Sequence, residues 1–208
     1  MQPTDSRIVP VVVINHAERA PALGEALVAG GLAVAEVTFR TPAAPDAIRR
    51  LAANPNLLVG AGTVLTAGQV DQAVDAGARF IVSPGFSAPV VKRALHHELP
   101  VFPGAVTPTE IMAALDHGLT TLKFFPANVY GGVAALKALA APFPQVRFIP
   151  TGGVSTSNLA DYLQLASVAA VGGSWMVPVD AVDVGDTTTI TRLCAAAAAV
   201  ATALPKAA

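Results

Sequence analysis

A lysine stands inside an otherwise apolar strand in Thr121-Leu122-Lys123-Phe124-Phe125-Pro126. Side chains alternate at period two along a strand, so if Leu122 and Phe124 pack outward on helices, Lys123 points into the interior. Taking an ammonium out of water disfavours its charged form and leaves a neutral amine that attacks carbonyls, the chemistry of a Schiff-base lysine. On this segment alone, a lysine snorkelling from a strand end is the better-favoured reading. A second polar strand, residues 33–41, puts Glu36, Thr38 and Arg40 on one face and Ala35, Val37 and Phe39 on the other. Glu36 and Arg40 are about 13 Å apart along an extended strand, so joint action requires Arg40 to fold back from its loop. Two uses are open: an ion pair closing one end of the fold, or a carboxylate serving the lysine as general acid and base.

Small residues dominate two later loops, Pro150-Thr151-Gly152-Gly153 and Gly172-Gly173-Ser174-Trp175. Glycine lets backbone N–H groups approach an oxyanion closely, so the pair suggests a phosphate site, although either loop alone also suits a tight turn. Neither has the spacing of a dinucleotide fingerprint. Gly60-Ala61-Gly62-Thr63-Val64 and Ser83-Pro84-Gly85-Phe86 bring close backbone and one hydroxyl each to the same rim. Thr63 suits a substrate carboxylate or, equally, a local backbone bond. His96-His97-Glu98 reads as a solvated helix end, because adjacent histidines on a helix diverge. His16 and His117 have no ligand-spaced partner, so no catalytic metal is expected. Cys194 reads as packing, and Trp175 and Phe125 as apolar anchors that secondarily line a pocket.

These residues need a scaffold. Short apolar segments begin near Ile8, Ala33, Leu57, Ala78, Val101, Thr121, Val146 and Val168, each followed by a helix-like stretch. Helix starts are marked at Thr41, Thr66, Ser87 and the capping-box spacing Thr107 to Glu110, and stops at Gly30, Gly77 and Gly118. Leu193 to Leu204 reads as a buried terminal helix, and Pro178 to Gly185 as an irregular insertion before it. Eight such units imply an α/β fold, a closed eight-stranded parallel β/α barrel, with residues 1–208 as a single domain. Catalytic groups of such barrels come from strand C-termini.

Composition narrows the partners. The chain has 208 residues, 53% hydrophobic and 13% charged, enough to bury a sizeable core and excluding disorder as its general state. Thirteen basic against 14 acidic residues give net charge −1, which provides no footprint for nucleic acid or an anionic membrane. The longest apolar run falls short of the roughly 18 residues of a membrane span. Cys194 is the lone cysteine, so no intrachain disulfide forms and a cytoplasmic location is expected. Met1-Gln2-Pro3-Thr4-Asp5 lacks the basic start of an export signal, so the amino terminus is expected to be intact.

Taken together, Glu36 to Thr41, Gly60 to Val64, Ser83 to Gly85, Lys123 to Ala127, Pro150 to Gly153 and Gly173 to Trp175 resemble the 2-keto-3-deoxy-6-phosphogluconate aldolases, across nearly the whole chain. Many members also act on 4-hydroxy-2-oxoglutarate. The resemblance implies a class I aldolase without external cofactor, a homotrimer of barrels acting on a small phosphorylated keto acid. It implies Lys123 as the Schiff-base lysine, Glu36 as general acid and base, and Arg40 with Thr63 as holders of the pyruvate carboxylate. Thr151, Pro84 and Phe125 would touch substrate, and Gly152, Gly153, Gly173 and Ser174 would enclose the phosphate. The chain departs from the family where Phe39 replaces Leu, where Asn128 replaces Glu, and where only Met1 to Arg7 precede the first strand. An aldolase for the galactonate epimer, a barrel isomerase or synthase using Lys123 only as a charge, and a phosphometabolite-binding module remain compatible with the sequence.

Overall fold

The computed structural model describes residues 3–205; Met1 and Gln2, where the amino terminus was expected to be intact, lie outside the described residues. Strands and helices alternate: β1 Ile8–Val12, α1 Ala20–Ala29, β2 Val34–Thr38, α2 Ala44–Ala52, β3 Leu58–Gly62, α3 Ala67–Asp75, β4 Ile81–Val82, α4 Ala88–His96, β5 Val101–Phe102, α5 Pro108–Leu115, β6 Thr121–Phe124, α6 Gly132–Ala140, β7 Arg147–Pro150, α7 Leu159–Leu163, β8 Val171–Gly173, α8 Val179–Val184 and α9 Thr187–Ala203. All pairings are parallel. Six strands form one curled sheet in the order β5-β4-β3-β2-β1-β8, and β6 pairs with β7 in a separate ladder. The two are joined by isolated bridges, Gly104 to Lys123 on one side and Phe148 to Val168 and Thr151 to Gly172 on the other. Pro103 and Pro150 stand at those junctions and lack the N–H that an unbroken ladder needs.

The sheet sorts the core into two apolar clusters. Outward residues such as Ile8, Val37, Leu122, Phe124 and Phe148 pack against the helices. Their neighbours at period two, Val9, Val34, Phe80, Val82, Phe102 and Ile149, fill the interior. Both faces of every strand are covered, which is why the strands read as continuous apolar runs. The buried polar exceptions to this apolar pattern among the described residues are Glu36, Thr38, Ser83, Lys123 and Thr151.

Local signals account for most helix ends. The Thr66 hydroxyl accepts a hydrogen bond from the Gln69 N–H, and Thr107 with Glu110 forms a complete capping box at α5. Ser87 precedes α4 without a side-chain bond. Gly77 and Gly118 take positive φ just past α3 and α5, at 93° and 76°, a geometry that only glycine adopts freely. Thr41 does not start a helix. Its hydroxyl donates to the Ile14 carbonyl at 2.5 Å, and α2 begins three residues later with Pro45 in its first turn. The irregular insertion expected at Pro178 to Gly185 is also corrected: it is α8, ended by Gly185 at φ 76°. The terminal helix starts six residues earlier than its apolar run, at Thr187, behind an Asp186 cap. Gly30 lets α1 approach α9 so closely that a Cβ there would collide with Cys194. Burial pushes the Cys194 thiol up to about 12, which suits packing and not nucleophilic attack. At the opposite end of β1, the Arg7 guanidinium donates to the carbonyls of Ala201, Leu204 and Leu163, closing the last turns of α9 and α7.

Candidate active site

Leu122 and Phe124 pack outward, so Lys123 points inward, and it is 5% exposed. Its Nζ donates to Glu36 Oε1 at 2.9 Å. Glu36 projects from β2 and is equally buried, at 3%. The snorkelling alternative is thus excluded, and so is a Glu36–Arg40 pair. A buried ammonium and carboxylate are costly to desolvate separately, and removing one partner commonly costs 3–5 kcal/mol, roughly. Space for the carboxylate comes from Gly62 on β3, where a Cβ would collide with Glu36 Oε1. Thr38, two residues along β2, spends its hydroxyl on the Val12 carbonyl at 2.9 Å. Beneath the pair lies an apolar floor of Val9, Phe80, Val82, Phe102 and Ile149, sealed from below by the buried Pro3.

Above it opens a cavity of about 340 Å³ lined by Arg40, Phe125, Thr151, Gly152, Gly153, Gly173 and Ser174, with Val11, Val13, Val154, Val177 and Val179. Phe125 connects the two regions, since its ring centroid is 5.3 Å from Lys123 Nζ while it also lines the cavity. Arg40 is exposed and makes no ion pair among the described residues. Thr63 and Pro84 are half-buried at the same ends of β3 and β4 but outside the cavity lining. Thr63 adopts φ 55°, a conformation a β-branched residue rarely takes. Pro84 packs its carbonyl over Gly104, where a Cβ could not fit.

The loop after β7 has a definite polarity. The Thr151 carbonyl accepts from Ala127 N at 2.8 Å and the Gly152 carbonyl from Asn128 N at 3.2 Å. The Gly153 carbonyl accepts from Asn158 Nδ2 at 3.0 Å. In a trans peptide the N–H points opposite to the carbonyl, so the N–H groups of Gly152, Gly153 and Val154 all face away from those ties. Gly152 and Gly153 have φ 91° and 75°, and all three residues line the cavity. Successive amides turned to one side form a concavity for an anion.

Sequence reasoning missed the valines of the wall, the Pro3 floor and Asn158. Extending period two along β1 and one residue past it, through Val9, Val11 and Val13, would have found two of those valines. No local signal marks the others. His97 and Arg93 both bond Asp71, at 2.8 and 2.6 Å, on the solvent side of α3 and α4. Hydrogen bonds from Arg93 and then His97 hold that carboxyl below its usual range. Among the described residues no three His, Cys, Asp or Glu side chains gather as metal ligands would, and no helix is long and apolar enough to cross a membrane.

A family model for KDPG and KHG aldolases matches residues 2–193. The chain belongs to that aldolase family. The resemblance carried by the six motif segments is thereby borne out. The KHG/KDPG aldolase of Escherichia coli K12 is 50% identical over 191 residues, 91% of this chain and 90% of that protein. The crystal structure of the 2-keto-3-deoxy-6-phosphogluconate aldolase of Zymomonas mobilis ZM4 with 3-phosphoglycerate superposes with TM-score 0.89 at 45% identity, covering 96% of both chains. The Legionella pneumophila KDPG aldolase, with pyruvate captured at low pH as a covalent carbinolamine intermediate, gives TM-score 0.89 at 45% identity over 94% of this chain and 98% of that one.

Proposed function

We propose that the protein is a class I aldolase that cleaves 2-keto-3-deoxy-6-phosphogluconate to pyruvate and D-glyceraldehyde 3-phosphate, and 4-hydroxy-2-oxoglutarate to pyruvate and glyoxylate. The observation that carries this reading is the buried Lys123 Nζ to Glu36 Oε1 hydrogen bond of 2.9 Å, joined through Phe125 to a cavity whose Arg40 and glycine amides suit an anion. Proton transfer along that bond turns the ammonium into a nucleophile and the carboxylate into an acid. The amine attacks the C2 ketone, and Glu36 returns a proton to the carbinolamine hydroxyl, which leaves as water to give an iminium. Glu36, again a carboxylate, takes the C4 hydroxyl proton. The C3–C4 bond then breaks, its electrons entering the iminium, so the aldehyde departs and an enamine remains. Protonation at C3 and addition of water to C2 release pyruvate and restore the amine.

Arg40 and Thr63 hold the substrate carboxylate in this reading, Thr151 lies beside the reacting hydroxyl, and Pro84 and Phe125 bound the substrate. Gly152, Gly153, Gly173 and Ser174 enclose the phosphate. The free guanidinium of Arg40 and the one-sided amides after β7 support the two anionic ends. Residues 1–208 act as one domain, with the sheet and the β6-β7 ladder closing through the bridges into an eight-stranded barrel. A cytoplasmic homotrimer is the assembly we infer, following the family resemblance. Incubation with pyruvate and borohydride followed by mass spectrometry tests the chemistry. The Lys123 peptide gains a reduced pyruvate adduct; turnover without an adduct at that position refutes the mechanism and favours a residue acting only as a charge.

A further inference from the structure

We infer that Asn158 is a positioning residue that sets the preference for a phosphorylated substrate, an inference that rests on reading the Gly152–Gly153 loop as the phosphate site. Two consecutive glycines at φ 91° and 75° have no side chains to restrict them, so the loop keeps its polarity only through outside ties. The first two carbonyls are tied by main-chain amides that follow β6, at Ala127 and Asn128. The third, that of Gly153, has the Asn158 side chain at 3.0 Å as its partner among the described residues. The same amide group accepts from Ser155 N at 2.9 Å through Oδ1, so one side chain grips the backbone on both sides of Val154.

Asn158 stands directly before α7, where asparagine commonly caps a helix. Here it makes no side-chain capping bond and its hydrogen-bonding capacity goes to the loop instead. Without the Nδ2 donor, the Gly153–Val154 peptide is free to rotate. Rotation turns the Val154 N–H away from the cavity and brings a carbonyl oxygen in, replacing attraction for an anion with repulsion. The other two amides keep their ties, so the loss is confined to the anionic end of the site.

The test compares kcat/KM for 2-keto-3-deoxy-6-phosphogluconate with that for the same keto acid lacking phosphate. In Asn158→Ala the ratio falls roughly tenfold, mostly through KM for the phosphorylated compound, as expected for one oriented donor to an anion. Asn158→Asp keeps the acceptor for Ser155 N but cannot donate to Gly153, and its ratio falls at least as far. Borohydride trapping of pyruvate, which has no phosphate, proceeds at Lys123 in both variants. A trapping defect equal to the loss in turnover makes Asn158 merely structural and overturns the inference. An unchanged ratio in Asn158→Ala, in an enzyme whose wild type discriminates, overturns it while the phosphate reading stands. A wild type indifferent to the phosphate overturns both.

Discussion

Gly62→Ala puts a methyl group where the Glu36 carboxylate lies. A Cβ on Gly62 falls 2.6 Å from Glu36 Cγ and 2.8 Å from Cδ, with Oε1 closer still. Carbon atoms sit comfortably at about 3.5–4.0 Å, so the carboxyl group retreats by ~1 Å. That lengthens its 2.9 Å bond to Lys123 beyond hydrogen-bonding reach. A displacement of this size in a reacting group costs about 100-fold in rate, or about 2.7 kcal/mol of barrier. Pyruvate release, followed continuously through lactate dehydrogenase and NADH, should show kcat reduced by that factor, with borohydride trapping slowed in parallel. Overpacking also lowers stability by about 1–3 kcal/mol, so Gly60→Ala serves as the control. Its Cβ meets the Phe80 ring on the same inner face and leaves the carboxylate alone. The reasoning fails if Gly62→Ala keeps kcat within a few-fold of wild type, or if Gly60→Ala is equally slow.

Three further outcomes follow from the geometry around the site. Arg7→Ala frees three carbonyls at the ends of α9 and α7, and urea unfolding should register a loss of about 2–3 kcal/mol; a change under half that would show that water replaces the guanidinium. Burial pushes the Glu110 carboxyl up, but hydrogen bonds from Val106 N and from Thr107 outweigh it and hold the group below its ordinary value. Its contribution is therefore present above the unfolded value and lost as pH falls through the folded one, so Glu110→Gln should flatten the acid limb of a stability-against-pH curve, and an unaltered limb counts against the capping box. The thiol of Cys194, at about 12, should resist iodoacetamide at pH 8 until the chain unfolds; labelling of the native enzyme would contradict its burial.

The chemistry was legible where it is written locally. Period two across Leu122, Lys123 and Phe124 tied the lysine's direction to that of its neighbours, whose outward packing then decided it, and the alternation at Glu36 separated a polar face from an apolar one. The capping residues Thr66 and Thr107 were readable because a hydroxyl three residues ahead of a free N–H is a short-range device. What escaped depends on partners far along the chain. Glu36 had two candidate cations, and only the strand order decides that the one 87 residues away is its partner. Thr41 has the composition of a cap, but the Ile14 carbonyl competes for its hydroxyl and wins. Asn158 acts backward on a loop and not forward on its helix, so capping rules point the wrong way. Pro178 to Gly185 looked irregular because its helix is a turn and a half long, too short for periodicity to show.

The pairing of Ile8, Val9 and Pro10 with Val171, Gly172 and Gly173 has a consequence for biosynthesis. During synthesis β1 finds one of its two neighbours only after β8, seven strands further along the chain, has emerged. Until then β1 presents an open edge, a template on which another nascent chain can add. A truncated product ending before β8 already holds both members of the ion pair, but it lacks one wall of the cavity. One short strand thus does two things: its pairing covers the edge of β1, and its last residue, Gly173, brings in a wall of the cavity.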